Sequence, residues 1–279
     1  MLSRAIKMAF WVTYDHLGKL ILANLIWSLS FLIPLMLGAT AFATRDPAIM
    51  VFIGVPLTVL ALGIILPVTT AGLAHLAKEL IDTRDGSVRD FFAGVRLHWK
   101  RAMGIGLLYL FGVASLAVSV WFYAAKVGSA APWLGYTISA LALWCLLLVT
   151  LMAMLVMPAL VQKRGGIVAT LKLAALLVMD NPLFCIGLAI QFIVIAGFSV
   201  IIPVLVFLSG SVSVVLASSA YEMLARKYAQ KAQDLAADPA SSALGGIRGV
   251  TREGAAIIED EQDDYLNRGL RDFLFPWKG

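Results

Sequence analysis

The chain has 279 residues, 61% of them hydrophobic and 14% charged, with a formal net charge of +5. A soluble domain carries about 25% charged residues, so these apolar residues exceed what a soluble core holds. The charges crowd into short segments between long uncharged ones, which marks an all-α polytopic membrane protein and makes membrane edges, not nucleic acid, the reason for the basic total.

Taken in chain order, Met1 to Lys19 places Ile6, Phe10, Trp11, Tyr14 and Leu17 along one helical face, as in a helix lying at a membrane surface. The first apolar run follows, Leu20 to Ala43. Its approach through Arg4 and Lys7 and its ending Ala39-Thr40-Ala41-Phe42-Ala43 resemble a signal peptide, but the run exceeds the roughly 7–15 residues of such a core, so it is expected to stay as an anchor. Ala48 to Ala74 is the second run. Val88 to Arg101 is the second amphipathic segment, with Phe91, Phe92, Val95 and Trp99, and leads into Ala102 to Ala125 and then Ala131 to Val161. Gly166 to Asn181, carrying Leu171, Leu173, Ala174, Leu177 and Val178, is the third such segment. Pro182 to Pro203 and Leu205 to Tyr221 close the series, and Pro203 with Ser209-Gly210 leaves open whether these are two spans or one broken helix.

Every run lacks Asp, Glu, Lys and Arg, and a run of about 20 such residues crosses a hydrocarbon layer of roughly 30 Å. The expected architecture is six transmembrane helices arranged as three amphipathic-helix plus hairpin units. All three run in one direction, unlike the inverted repeats of many transporters. Ile105-Gly106-Leu107 and Ile186-Gly187-Leu188 echo one another. With six spans, only Arg45 and Lys126 of the 22 basic residues fall on one side. Retention of Lys and Arg in the cytoplasm then places both termini there.

The transmembrane domain is read as residues 1–228. Residues 229–264 form a flexible polar and acidic linker, with Asp238-Pro239-Ala240-Ser241-Ser242, Gly245-Gly246 and the cluster Glu259-Asp260-Glu261. Residues 265–279 regain an apolar face through Phe273, Phe275 and Trp277. This last segment is expected to dock on the protein's own cytoplasmic surface or on a partner.

Catalysis and ion coupling need ionisable groups at membrane depth, and the spans contain none. A non-enzymatic protein without cofactor or metal is expected. Cys145 and Cys185 are isolated small hydrophobes; His16, His75 and His98 lack ligand spacing; His75, Glu79 and Asp82 fit the solvated end of a helix. Asn24 and Gln191, the bulkiest polar groups within the spans, and Asn181 beside them are the candidates for lining a cavity. Asn181 has a second reading, with Asp180, as the cap of a helix whose first turn holds Pro182. Arg89, Arg96, Trp99, Lys100 and Arg101 are the candidate contacts to anionic lipid or a partner, at about 1 kcal/mol per charge near the surface.

Four features resemble the YesL-like family of small bacterial membrane proteins: Leu25-Ile26-Trp27, Leu66-Pro67-Val68-Thr69-Thr70-Ala71-Gly72-Leu73, Asp90-Phe91-Phe92-Ala93-Gly94-Val95-Arg96 with Trp99-Lys100-Arg101, and Asp180-Asn181-Pro182. The ending Leu270 to Trp277 is similar to that of longer members. The resemblance spans roughly residues 5 to 230 and implies a multi-pass protein of the bacterial inner membrane, in a family often associated with carbohydrate uptake. Two functions follow as expectations: an accessory or scaffold subunit that engages another membrane or cytoplasmic protein through its cytoplasmic helices and tail, or a transporter or channel component for a neutral or weakly polar solute.

Overall fold

The computed structural model describes residues 1–163, 165–202, 206–237, 265, 266 and 268. Among them there is no strand. Eight helices are named here in chain order: α1 (Leu2–Asp15), α2 (Leu17–Ala43), α3 (Pro47–Asp82), α4 (Val88–Val127), α5 (Pro132–Gln162), α6 (Ile167–Asp180), α7 (Pro182–Ile201) and α8 (Val206–Ala237). Six of these, α2, α3, α4, α5, α7 and α8, contain stretches long and apolar enough to cross a membrane. Their outward faces carry Phe52, Trp144 and Ile193, each more than 70% exposed. Exposed apolar surface on that scale is consistent with a multi-pass membrane protein.

The second amphipathic segment differs from its sequence-based reading. Val88–Phe122 is one uninterrupted helix, because no proline, glycine pair or capping residue intervenes between Trp99 and Ala102 to stop it. Its start is fixed by a capping box, in which the backbone N–H of Ser87 donates to Asp90 Oδ2 at 2.6 Å. The first and third segments do stand apart as α1 and α6. His16 leaves helical geometry at φ −120° and Asn181 at φ −134°, and each breaks the chain before the next helix.

α1 also buries a different face from the predicted one. Ala5, Met8, Ala9 and Val12 pack into the core against α8, whereas Phe10, Tyr14 and Leu17 are exposed and Ile6 is half-buried. Ala5 and Ala9 let the two helices approach closely, and Trp11 of the sequence-read aromatic set is buried beside them. α6 follows expectation, burying Thr170, Ala174, Leu177 and Val178.

α3 and α4 form the tightest pair. A Cβ on Gly94 would lie 2.4 Å from His75 Cβ, and one on Gly72 would lie 2.9 Å from the Phe91 carbonyl oxygen. Backbones this close are the usual consequence of small residues at membrane helix contacts. α3 also contains two widened π-helical stretches, Met50–Gly54 and Leu60–Ile65, each just before a proline, Pro56 and Pro67. A proline ring collides with the carbonyl four residues back, here Phe52 and Gly63, and the wider turn relieves that collision.

α7 and α8 are separate antiparallel helices. Asn181, at the start of α7, bonds to Tyr228 near the far end of α8, while the end of α7 and the start of α8 adjoin in sequence. α8 is the inner post of the bundle: 56% of its apolar window is buried, against 11–22% for the other five. It continues to Ala237, beyond Tyr228. The main core joins α8 to α1, α3, α5 and α7 through Met8, Leu76, Leu80, Leu155, Leu188 and Leu224.

Candidate functional site

The three polar residues proposed from sequence as cavity lining occupy different settings. Asn24 is 1% exposed, and its Oδ1 accepts from the backbone N–H of Ser211 at 2.9 Å, fastening α2 to α8. Gln191 is half-buried on α7. Asn181 sits at the N-cap of α7, but its side chain makes no capping bond: its amide donates to the Leu177 carbonyl at 3.2 Å and to the Tyr228 hydroxyl at 2.8 Å. Lys227 donates to Asn181 Oδ1 at 2.6 Å, and Tyr228 donates to Asp180 Oδ2 at 3.0 Å. Four side chains thus tie the α6–α7 bend to α8.

A cavity of about 360 Å³ does lie between α3, α4 and α5, and none of those three residues lines it. Its wall is apolar apart from Thr70 and Tyr109. The Thr70 hydroxyl is engaged, accepting from Trp27 Nε1 at 3.0 Å and donating to the Leu66 carbonyl at 2.6 Å.

The basic residues of α4 divide into two roles. Arg89, Arg96 and Lys100 are exposed, and with Phe92 and Trp99 they form one surface opposite the buried Phe91, Gly94 and His98. Lys100 Nζ stands 5.4 Å from the Trp99 ring centre. Arg101 instead donates to the Gly165 carbonyl at 2.9 Å and holds the α5–α6 turn. Trp121 and Trp133 are exposed beside the α4–α5 turn as interface anchors should be, whereas Trp11 is buried and Trp27 is half-buried with its indole bonded to Thr70.

His75 and His98 face each other with ring centres 5.7 Å apart, and His16 is not part of that pair. No group of three or more metal-ligating side chains occurs among the described residues. Asp82 pairs with Lys78 at 3.8 Å, one turn back on α3.

The most developed polar surface joins the start of the chain to its end. Arg268 Nη1 donates to Asp15 Oδ2 at 2.6 Å, and its guanidinium lies 5.4 Å from the ring centres of both Trp11 and Tyr265. Tyr265 is 1% exposed, with the Arg84 guanidinium 4.7 Å from its ring centre. Lys7 donates to the Leu266 carbonyl. Arg84 ends α3 in the left-handed backbone region at φ 58°, which turns the chain towards α4. Burial, with Lys19 adding to it, holds the His16 imidazole below its usual pKa.

Burying an aromatic ring the size of Tyr265 is worth about 2 kcal/mol, and each cation–π contact about 0.5–1 kcal/mol. The Asp15–Arg268 pair, its side chains 26% and 31% exposed, adds about 1 kcal/mol or less once solvent screening is allowed for. Sequence reading put the anchoring role on Phe273, Phe275 and Trp277, which lie outside the described residues. It placed Tyr265 and Arg268 only within the docking segment 265–279 and gave no place to Asp15 or Arg84, because a charge–aromatic stack between distant segments leaves no periodic signal.

In comparison with known proteins, no family model matches the chain, and no curated protein and no solved structure matches it.

Proposed function

We propose that the chain is a non-enzymatic, multi-pass protein of the bacterial inner membrane, an accessory or scaffold subunit whose cytoplasmic face engages a second protein. The observation carrying this reading is the exposed surface of Arg89, Phe92, Arg96, Trp99 and Lys100 on α4, where cations alternate with aromatic and apolar side chains. Such a surface suits anionic lipid headgroups or the acidic surface of a partner. The bonding of Asn24 and Trp27 to neighbouring helices adds support, since it commits these polar groups to packing. The distribution of Lys and Arg supports both termini on the cytoplasmic side.

The test is purification of the full chain from cross-linked cells in mild detergent. A protein partner is expected in near-stoichiometric amount, and it is lost from a variant carrying Arg89→Glu, Arg96→Glu and Lys100→Glu. Recovery of no partner with either form contradicts the proposal.

A second reading rests on the 360 Å³ cavity between α3, α4 and α5: a component that moves a neutral or weakly polar solute. It requires solute flux in liposomes above the protein-free rate.

A further inference from the structure

We propose that the surface formed by Lys7, Trp11 and Asp15 of α1 with Arg84 at the end of α3 is a peptide-binding slot. Its ligand is a segment bearing an aromatic residue followed, three positions later, by an arginine. The chain's own Tyr265, Leu266 and Arg268 are its resident contacts.

Three kinds of recognition converge on this slot. The aromatic position is read by enclosure: Tyr265 is 1% exposed, with the Arg84 guanidinium 4.7 Å and the Arg268 guanidinium 5.4 Å from its ring centre. The cationic position is read twice, by the Asp15 carboxylate at 2.6 Å and by the Trp11 ring at 5.4 Å. The backbone between them is read by Lys7, which takes the Leu266 carbonyl. Asp15 and Arg268 are 253 positions apart in the chain. This is the way grooves recognise short linear peptides, with side-chain pockets for specificity and a main-chain bond for register.

The slot is also built independently of its occupant. Asp15 and Trp11 are set one turn apart on α1, whose adjoining face is locked into the core by Ala5, Met8 and Val12, with Trp11 packed in the same core. Arg84 is positioned by its left-handed backbone at the α3 terminus. A groove on rigid elements, filled by a segment of the same chain, binds the equivalent segment in trans once the resident copy is removed, because tethering raises only the effective concentration. These contacts do not depend on the identity of any partner, so the slot is tested separately from the scaffold reading.

The experiment uses the full-length chain in detergent, with the slot emptied by Tyr265→Ala and Arg268→Glu, and a labelled peptide covering residues 261–272. The emptied chain is expected to bind the peptide saturably and at least about tenfold more tightly than the wild-type chain, whose slot is occupied. Peptides carrying Tyr265→Ala or Arg268→Ala bind about tenfold more weakly. Adding Asp15→Arg to the emptied chain abolishes binding of the wild-type peptide and restores binding to a peptide carrying Arg268→Asp. Absence of binding to the emptied chain, or equal binding of the wild-type and substituted peptides, overturns the proposal. Should the emptied chain fail to fold, cysteine pairs in the otherwise wild-type chain decide it: Asp15→Cys with Arg268→Cys must cross-link much faster than Asp15→Cys with Arg252→Cys, and equal rates overturn the proposal.

Discussion

Gly106→Leu is expected to be the most damaging single change in the bundle, lowering stability in detergent by about 3 kcal/mol. Even a single Cβ at this position would lie 2.1 Å from Pro67 Cγ and 2.4 Å from the Gly63 carbonyl oxygen. The neighbouring atoms belong to a proline ring and a backbone, neither of which moves aside as a flexible side chain would. α3 and α4 must therefore separate, which also loosens the Gly72 and Gly94 contacts along the same interface. Gly112→Ala provides the control on the same helix. Nothing approaches its Cβ position within 4 Å, so its melting temperature should stay close to that of the parent. Thermal melts of both variants in one detergent check the pair.

Asn24→Leu is expected to cost about 2 kcal/mol, despite keeping the same branching and adding apolar character to a membrane helix. The side chain is buried, and its oxygen receives the Ser211 N–H of α8. A leucine there forfeits that bond. It also presses against Gly210, whose own Cβ position is already 2.4 Å from Asn24 Oδ1. Gln191→Leu, on a half-buried position of α7, should change stability by about 0.5 kcal/mol or less. If the two substitutions cost the same, Asn24 is not the fastener between α2 and α8.

Six apolar runs were legible because membrane-crossing helices announce themselves by length and by the absence of charge, both properties of local sequence. The helix break at Asn181-Pro182 was nearly as plain, whereas the first break falls at His16, three residues before the Lys19 boundary read from sequence. The continuity of α4 through Arg101 was harder to read: an amphipathic stretch and an apolar stretch differ in composition, but backbone hydrogen bonding does not register that change. The Ser87 and Asp90 capping box was the available signal, and it marks one start for the whole helix. The buried face of α1 was only partly read: Trp11 was among the residues singled out and is buried, but Ala5, Met8, Ala9 and Val12 carry little weight in a pattern and supply the rest of the contact with the core.

Of the candidate site residues, the exposed cations on α4 follow from amphipathic periodicity alone. The part played by Asn24 does not, because whether a polar group in a span lines a cavity or clasps a neighbour depends on which helix lies opposite. The slot for Tyr265 and Arg268 is less legible still. Asp15 and Arg268 lie 253 positions apart, so only the assembled bundle brings them together.

Orientation is the premise on which the partner-facing surface rests, and thiol accessibility measures it directly. With Cys145 and Cys185 replaced by serine, single cysteines at Arg45, Lys126, Arg96 and Lys231 are treated with a membrane-impermeant maleimide in spheroplasts, before and after permeabilisation. Arg45→Cys and Lys126→Cys should label at once, and Arg96→Cys and Lys231→Cys only after the membrane is opened. Labelling of Arg96→Cys in intact spheroplasts, or protection of Lys126→Cys, contradicts the account.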